Sequence, residues 1–360
     1  MISFARGVPA PECLPVDELA DCARAVFQRD GETALNYGPA GGYGPLREWL
    51  AERHGVAAGQ IVITNGSLQG LDLVLGRLAP ERRLLVESPT YDRALRTASR
   101  HGLDVTGVAH DAEGLDPDDL ERELGRDRRP ALLYLLPTFQ NPSGRTLSLE
   151  RRRRVLEIAA EHDLVVLEDD PYRLVRFEGD ELPPLHELSA RDTVLHSSSF
   201  SKIVAPGLRV GYLVVPMTLA AELEAAAAGA YLAPSFAAQS IVFEFVRRGL
   251  LEPNLERVCE LLRARRDAMI SALQRELSEA SWNVPAGGYF LWLELPAGLR
   301  ARDALAAAES AGVTFVPGDD FFLRAGDGAG GARLAFSFAS PEEIDEGVSL
   351  LAGACAGVVV

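Results

Sequence analysis

Short apolar runs and helical periodicities alternate along the first two thirds of the chain. "IVIT" (Ile61–Thr64), "RLLVES", "LDVTGVA", "ALLYLLP", "DLVVLEDD", "TVLHSSS" and "LRVGYLVVP" read as short, buried strands. Between them lie segments of helical spacing, such as "SLQGLDLVLGRLA" and "SLERRRRVLEIAAEH", the second with Ser148 as its expected N-cap. Strands separated by helices imply βαβ units. The pattern therefore predicts an α/β fold with a mostly parallel sheet flanked by helices. Ligands of such sheets gather at the carboxyl ends of the strands. Beyond about Pro234 the pattern changes. Two long helical segments run from Ser235 to Ala280, broken near Glu252–Pro253. They are followed by "GGYFLWLELP", a helix near Ala304, "VTFVPG", "ARLAFSFA" and a final helix from Pro341 through "LLAGACAGVVV". This predicts a smaller α+β C-terminal domain. The division expected is a large domain over residues 36–240 and a small one over 241–360, with residues 1–35 associated with the small domain.

Composition narrows the functional classes. The formal net charge of −16 over 360 residues argues against nucleic acid or an anionic membrane as the main partner. Cys13, Cys22, Cys259 and Cys355 form no CxxC pair and have no histidine at metal-ligand spacing, so they read as scattered thiols in a reducing compartment, with no metal site. The opening "MISFARGVPAPE" lacks the basic and apolar regions of a signal peptide, and no uninterrupted apolar stretch is long enough to span a bilayer. A cytoplasmic protein is the expectation. The run Arg151–Arg154 reads as the solvated face of a helix rather than as an anion site.

One residue stands apart. The 36 lysines and arginines include a single lysine, Lys202, in "SSSFSKIVAPGLRVGY". Arginine replaces lysine wherever a solvated positive charge is enough. It does not replace an amine that must lose its proton and attack a carbonyl. Around Lys202 lie Ser197, Ser198, Ser199, Ser201, Pro206, Gly207 and Arg209. Hydroxyls, a turn and a fixed cation suit a phosphate beside a Schiff-base lysine.

The ends of the expected strands carry the remaining candidates. "NGSLQG" opens a helix, where Ser67 serves as N-cap, as part of an anion site, or as both. Tyr91 in "ESPTYDRAL" is placed either to pack or to stack on a flat ring. Asn141 in "LPTFQNPSGRTLS" belongs to a turn, and its amide is available to a cofactor oxygen. "VVLEDDPYRL" ends in two acids that alternate across the strand, so Asp169 and Asp170 do not face the same site. A buried acid there needs a positive partner, such as a protonated pyridine nitrogen.

Taken together, Asn141, the pair Asp169 and Tyr172, and "SFSKxxxPGLRxG" resemble the fold-type I aminotransferases that use pyridoxal 5′-phosphate. The branch most similar contains 2-aminoadipate and kynurenine aminotransferases and the sensory halves of MocR regulators. Similar elements run from "SFARGVPAPECLP" through "YGPAGGYGPLREWLA", "GGYFLWLEL" and "FVPGDDFF" to "RLAFSF", covering nearly the whole chain. The resemblance implies a homodimer with shared sites that exchanges an amino group between an amino acid and a 2-oxo acid, 2-oxoglutarate among them. It also implies residue roles. Lys202 forms the Schiff base, Asp169 pairs with the pyridinium nitrogen, and Tyr172 and Asn141 bond the ring oxygen. Tyr91 stacks on the ring, while Ser67, the Leu68 backbone, Ser199, Ser201 and Arg209 hold the phosphate. Tyr37 reaches the phosphate of the partner subunit, and Arg333 clamps the substrate carboxylate near Asn141 and Gly7.

This chain departs from that pattern in three places. The helical arm that precedes "SFARGVP" in relatives is expected to be missing. Leu68 stands where relatives often have glutamine. Arg6 stands where they tend to have glycine, and either points to solvent or supplies a cation for an acidic substrate group. The same residue set also serves elimination, replacement, decarboxylation or oxidation, and the same fold serves a non-catalytic effector module. No GxGxxG opens a helix after the first strand, which argues against a nicotinamide enzyme.

Overall fold

The computed structural model describes residues 1–79, 82–189 and 192–358, so the last two residues of the expected final helix lie outside it. The first half runs β1 (Ile2–Ser3), α1 (Val16–Ala34), α2 (Gly44–His54), β2 (Ile61–Thr64), α3 (Ser67–Leu78), β3 (Arg83–Ser88), α4 (Asp92–Arg100), β4 (Val105–Asp111), β5 (Gly114–Leu115), α5 (Pro117–Arg126), β6 (Ala131–Leu135) and α6 (Leu149–Glu161). It continues with β7 (Val165–Asp169), α7 (Leu185–Leu188), β8 (Val194–Ser199), β9 (Gly211–Val214), α8 (Met217–Tyr231), α9 (Phe236–Arg247) and α10 (Leu251–Glu276). The chain closes with β10 (Ser281–Trp282), β11 (Phe290–Glu294), α11 (Ala301–Ala311), β12 (Val313–Thr314), β13 (Val316–Pro317), β14 (Gly331–Ala335) and α12 (Pro341–Val358).

The eight-stranded sheet has the order β2-β9-β8-β7-β6-β3-β4-β5. Pairing is parallel from β8 through β7, β6 and β3 to β4, and antiparallel where β9 lies between β2 and β8 and at the short β5 edge. The fold is thus α/β with a mostly parallel sheet, as expected. Its strands read as continuous apolar runs because helices cover both faces. Alternate side chains divide between two cores: Leu84, Val86, Leu132 and Leu167 join α3, α4 and α8, while Leu85, Leu133, Leu135 and Val166 join α5 and α6.

The second, four-stranded sheet is antiparallel, in the order β10-β11-β14-β13. The N-terminal segment is stitched to this part of the molecule. β1 pairs with β12, and the fully buried Phe4 accepts from the Ala335 amide at 2.7 Å. The break between α9 and α10 falls at Gly249 (φ +69°) rather than at Glu252–Pro253. Pro253 sits in the first turn of α10, where the N–H it lacks has no helical partner in any case.

The Arg151–Arg154 run is corrected by the structure. Arg152 is fully buried, not solvated. Its guanidinium donates to the carbonyls of Leu147, Pro183 and Pro137 at 3.1 Å each, and to Thr138 Oγ1 at 2.6 Å. It thereby fixes both ends of the segment carrying Asn141. Arg151 pairs with Asp111 at 2.7 Å, and Arg153 alone is exposed. Helical spacing places one member of any four-residue run toward the core. Arg152→Ala is expected to lower unfolding free energy by about 3 kcal/mol or more by orphaning buried acceptors, whereas Arg153→Ala stays within about 0.5 kcal/mol. Urea denaturation of both variants checks this.

Candidate active site

Strands β2, β3, β6, β7 and β8 point the same way, so their carboxyl ends share one edge of the sheet. A cleft of about 580 Å³ opens there. It is closed on the other side by Ala5, Gly7 and Val8 and by Phe290, Val316, Phe321 and Arg333.

Lys202 lies in the loop from β8 to β9 and is half-buried. Its ammonium donates to the Gly7 carbonyl at 2.6 Å. Gly7 reaches this position because a Cβ there would stand 2.5 Å from the Phe290 ring. The loop is pinned at the lysine and the residue after it: Tyr289 Oη donates to Lys202 O at 3.3 Å, and Asn254 Nδ2 to Ile203 O at 2.8 Å. Burial, then the charges of Arg333 and Arg209, push the Lys202 pKa down to about 8. The side chain therefore holds a usable fraction of free amine near neutral pH.

Asp169 ends β7 facing the cleft, and Asp170 turns away to pair with Arg173 at 2.8 Å. Asp169 Oδ2 accepts from Tyr134 Oη at 2.7 Å. Its Oδ1 is buried without a hydrogen-bond partner among the described residues. Burial raises its pKa to about 6, against the pull of the Tyr134 hydrogen bond. A carboxylate so placed lacks one cationic N–H donor. Tyr172, three residues on, is buried against Tyr289 and Phe290, and burial pushes its phenol well up, so it stays a hydrogen-bond donor.

Arg333, in the middle of β14, is 7% exposed. It donates to Asn141 Oδ1 at 2.9 Å and to the Ala5 carbonyl at 2.8 Å, and lies 4.4 Å from the Phe290 ring centroid. No carboxylate among the described residues lies within ion-pair distance of it, and its Nε has no partner. A buried guanidinium in that condition has the chemistry to receive a carboxylate.

The opposite end of the cleft is built from backbone. Ser67 and Leu68 begin α3, so their N–H groups have no intrahelical acceptor. Gly66 (φ +84°) and Gly211 are required there, since a Cβ at Gly66 would strike the Arg209 guanidinium and one at Gly211 would strike the Gly66–Ser67 backbone. Ser199 Oγ, 2.7 Å from Ser201 Oγ, and Arg209, which donates to Asn65 O at 2.9 Å, complete the cup. Free N–H groups, hydroxyls and a guanidinium are an anion site. Tyr91 lines the same cleft, half-buried, its pKa raised to about 12 by burial.

The structure thus brings together Lys202, Asp169, Tyr172, Asn141, Arg333, Tyr91, Ser67, Leu68, Ser199, Ser201, Arg209 and Gly7. Two residues stand elsewhere. Tyr37 is 84% exposed and does not line the cleft. Arg6 also does not line it: it is exposed and lies over the Phe338 ring at 5.3 Å. Gln69 turns back to accept from the Asn65 amide at 2.7 Å. Sequence reasoning missed Tyr134, Arg93 and Arg96. The polar-tipped aromatic in "ALLYLLP" was the available signal for the first.

The family described as aminotransferase class I and II matches residues 7–351. The chain is 40% identical over 365 residues to the 2-aminoadipate transaminase of Thermus thermophilus, covering 100% of this chain and 91% of that protein. It is 34% identical over 365 residues to aromatic-amino-acid aminotransferase 1 of Thermococcus litoralis, covering 98% and 87%. Among solved structures, it aligns with a TM-score of 0.94 and 39% identity to LysN, the alpha-aminoadipate aminotransferase of Thermus thermophilus, complexed with N-(5′-phosphopyridoxyl)-L-leucine; 100% of this chain and 93% of that one are covered. Fold and family are those of the pyridoxal-phosphate-dependent transaminases. The chain belongs to the class I and II aminotransferase family.

The residues fit that cofactor on independent grounds. The orphaned Asp169 Oδ1 suits a protonated ring nitrogen, Lys202 suits an aldehyde, and the α3 cup suits a phosphate. Uptake of pyridoxal phosphate by cofactor-free protein requires the neutral amine. Its rate is expected to rise with pH through about 8 and level off above, well below the ordinary lysine value of 10.5. Arg333→Gln removes one of the charges that depress the amine and should move this midpoint upward. Stopped-flow absorbance across pH measures both.

Proposed function

We propose that this transaminase works on dicarboxylic substrates, with 2-oxoglutarate as amino acceptor, in a ping-pong sequence. The observation that carries this is the set of cations around the cleft. Besides Arg333, the guanidinium-bearing Arg93 and Arg96 line it from α4, only loosely held by Asp92 at 3.6 and 3.3 Å. A substrate with two carboxylates meets a positive group at each end. The relatives named for 2-aminoadipate act on such a substrate.

In this reading Arg333 grips the α-carboxylate through parallel N–H bonds and fixes the direction of the Cα–H bond. Asn141 orients Arg333 and shares the ring oxygen with Tyr172. Bound pyridoxal phosphate supplies the electron sink for charge leaving the substrate Cα. Asp169 keeps a proton on the ring nitrogen, and Tyr134 holds Asp169 in place. Ser67, the Leu68 amide, Ser199, Ser201 and Arg209 anchor the phosphate, and Tyr91 covers the ring. Lys202, its pKa already lowered, is the base that takes the Cα proton.

The exposure of Tyr37 supports a homodimer in which it completes the partner's phosphate cup. Free cysteines and helices too short or too polar to cross a membrane, among the described residues, support a reducing, cytoplasmic setting. We divide the chain into a large unit, 36–240, and a small one, 241–360, with residues 1–35 associated with the small one. Residue 240 lies inside α9, and the nearest break between helices is at Gly249.

An amino donor given without acceptor should yield one equivalent of 2-oxo acid per site. Arg93→Ala/Arg96→Ala should lower kcat/KM for 2-oxoglutarate about 10-fold, the value of about 1.4 kcal/mol, while pyruvate is little affected. An equal loss with both acceptors would discard the dicarboxylate assignment and leave transamination standing.

A further inference from the structure

Three of the chain's six histidines, His54, His186 and His196, meet inside the molecule. They come from the end of α2, from α7 and from β8. One ring nitrogen of each lies within 4.8 Å of one from the other two. Ring centroids are 4.3 to 5.2 Å apart. The cluster sits behind the sheet, away from the cleft. Glu168 and His196 are direct neighbours across β7 and β8, one residue out of phase with Asp169 and Ser197, and side chains alternate between faces.

Two of the three outer nitrogens are hydrogen-bonded, and the third, His186 Nδ1, stands near a carboxylate without a hydrogen bond. His196 Nδ1 lies 3.1 Å from Glu168 Oε2, His54 Nε2 lies 3.1 Å from Tyr212 Oη, and His186 Nδ1 lies 3.5 Å from Glu168 Oε2. Glu168 is itself fixed by the Leu185 amide at 2.8 Å. What remains is His54 Nδ1, His186 Nε2 and His196 Nε2. The first two face each other at 3.0 Å, and His196 Nε2 is buried with no partner among the described residues. That pair shares one N–H···N hydrogen bond, but the buried His196 Nε2 beside it is left with nothing to bond, a condition rare in a core.

We propose that these three nitrogens bind one divalent transition-metal ion, zinc by preference. Zn–N bonds of about 2.0–2.1 Å at tetrahedral angles require ligand nitrogens about 3.3 Å apart; the His54–His186 pair stands at 3.0 Å, and the three residues offer nitrogens within 4.8 Å of one another. His54 and His196 each have a hydrogen-bonding oxygen on the other side, the arrangement that fixes tautomers in histidine-ligated sites, and the Glu168 carboxylate stands 3.5 Å from His186 Nδ1. Glu168 supplies countercharge, and a water takes the fourth position. Nitrogen-only ligation selects zinc, cobalt, nickel or copper over magnesium or calcium. The ion does not touch the cleft. It ties α2 and α7 to the strand beside the one that ends in Asp169, so its role is structural.

The test uses holoenzyme expressed with added zinc, desalted and assayed by plasma emission. One zinc per chain is expected, and enzyme grown with cobalt should show the visible absorption of a tetrahedral nitrogen-ligated ion. His186→Gln should fall to near zero zinc. His162→Ala, which breaks the exposed Glu121, Glu161 and His162 group, should retain the metal. X-ray absorption on unaltered protein should give a first shell with three imidazoles, a readout independent of whether any variant folds. Less than about a tenth of an equivalent after desalting, full retention by His186→Gln, or an oxygen-only shell overturns the proposal.

Discussion

Strand β9, reversed between two strands that run the other way, is the constraint on which the site depends. Because β8 and β9 are antiparallel neighbours, the loop between them must turn back at the carboxyl edge of the sheet, and that loop carries Lys202. The register sets Ser199 opposite Gly211 and Gly211 opposite Thr64. The lysine loop and the start of α3 are thereby pressed together. Only glycines at 66 and 211 permit the approach. An anion cup and a reactive amine then share one corner of the cleft with no further specification.

The second constraint is electrostatic. Lys202, Asp169 and Arg333 are charged groups taken largely out of water, and none is fully paired. Such incompletely paired charges lower stability. The packing around them holds the arrangement: Phe290 under Arg333, Tyr289 and Asn254 on the lysine loop, Tyr134 on Asp169 and Arg152 behind Asn141. A ligand bearing a carboxylate, a phosphate and a protonated ring nitrogen supplies the missing partners in one step. Unpaired charge in the free protein is the other side of selectivity for that ligand.

These relations were unevenly legible in the sequence. Lys202 stood out because its chemistry has no arginine substitute, and Asp169 because a buried strand seldom ends in two acids. The βαβ succession followed from apolar runs alone. Arg152 did not stand out, since a run of like charges looks solvated until the helix phase against the sheet is known. Gly7 was legible only as a loop residue. Its function is defined by Phe290, a contact across nearly the whole chain. Arg6 had two readings, and its position over the Phe338 ring, a contact far along the chain, was not legible at all. The histidines of the buried cluster are spread from α2 to β8, with none of the spacing by which metal ligands are read from sequence.

Strand β7 shows why such distant sets coexist. Glu168 and Asp169 are consecutive, chemically alike and both buried, yet they serve opposite faces of the sheet. Asp169 is offered one phenol and left open to the cleft, which keeps it available to a cationic ring. Glu168 is surrounded by backbone amides and imidazoles, which holds it ionised and fixed. A shift of one residue in register would turn Glu168 toward the cleft and Asp169 away from it. The parallel pairing of β6, β7 and β8, set by apolar residues that never touch a ligand, is therefore what makes one acid available to the cofactor and its neighbour part of the core.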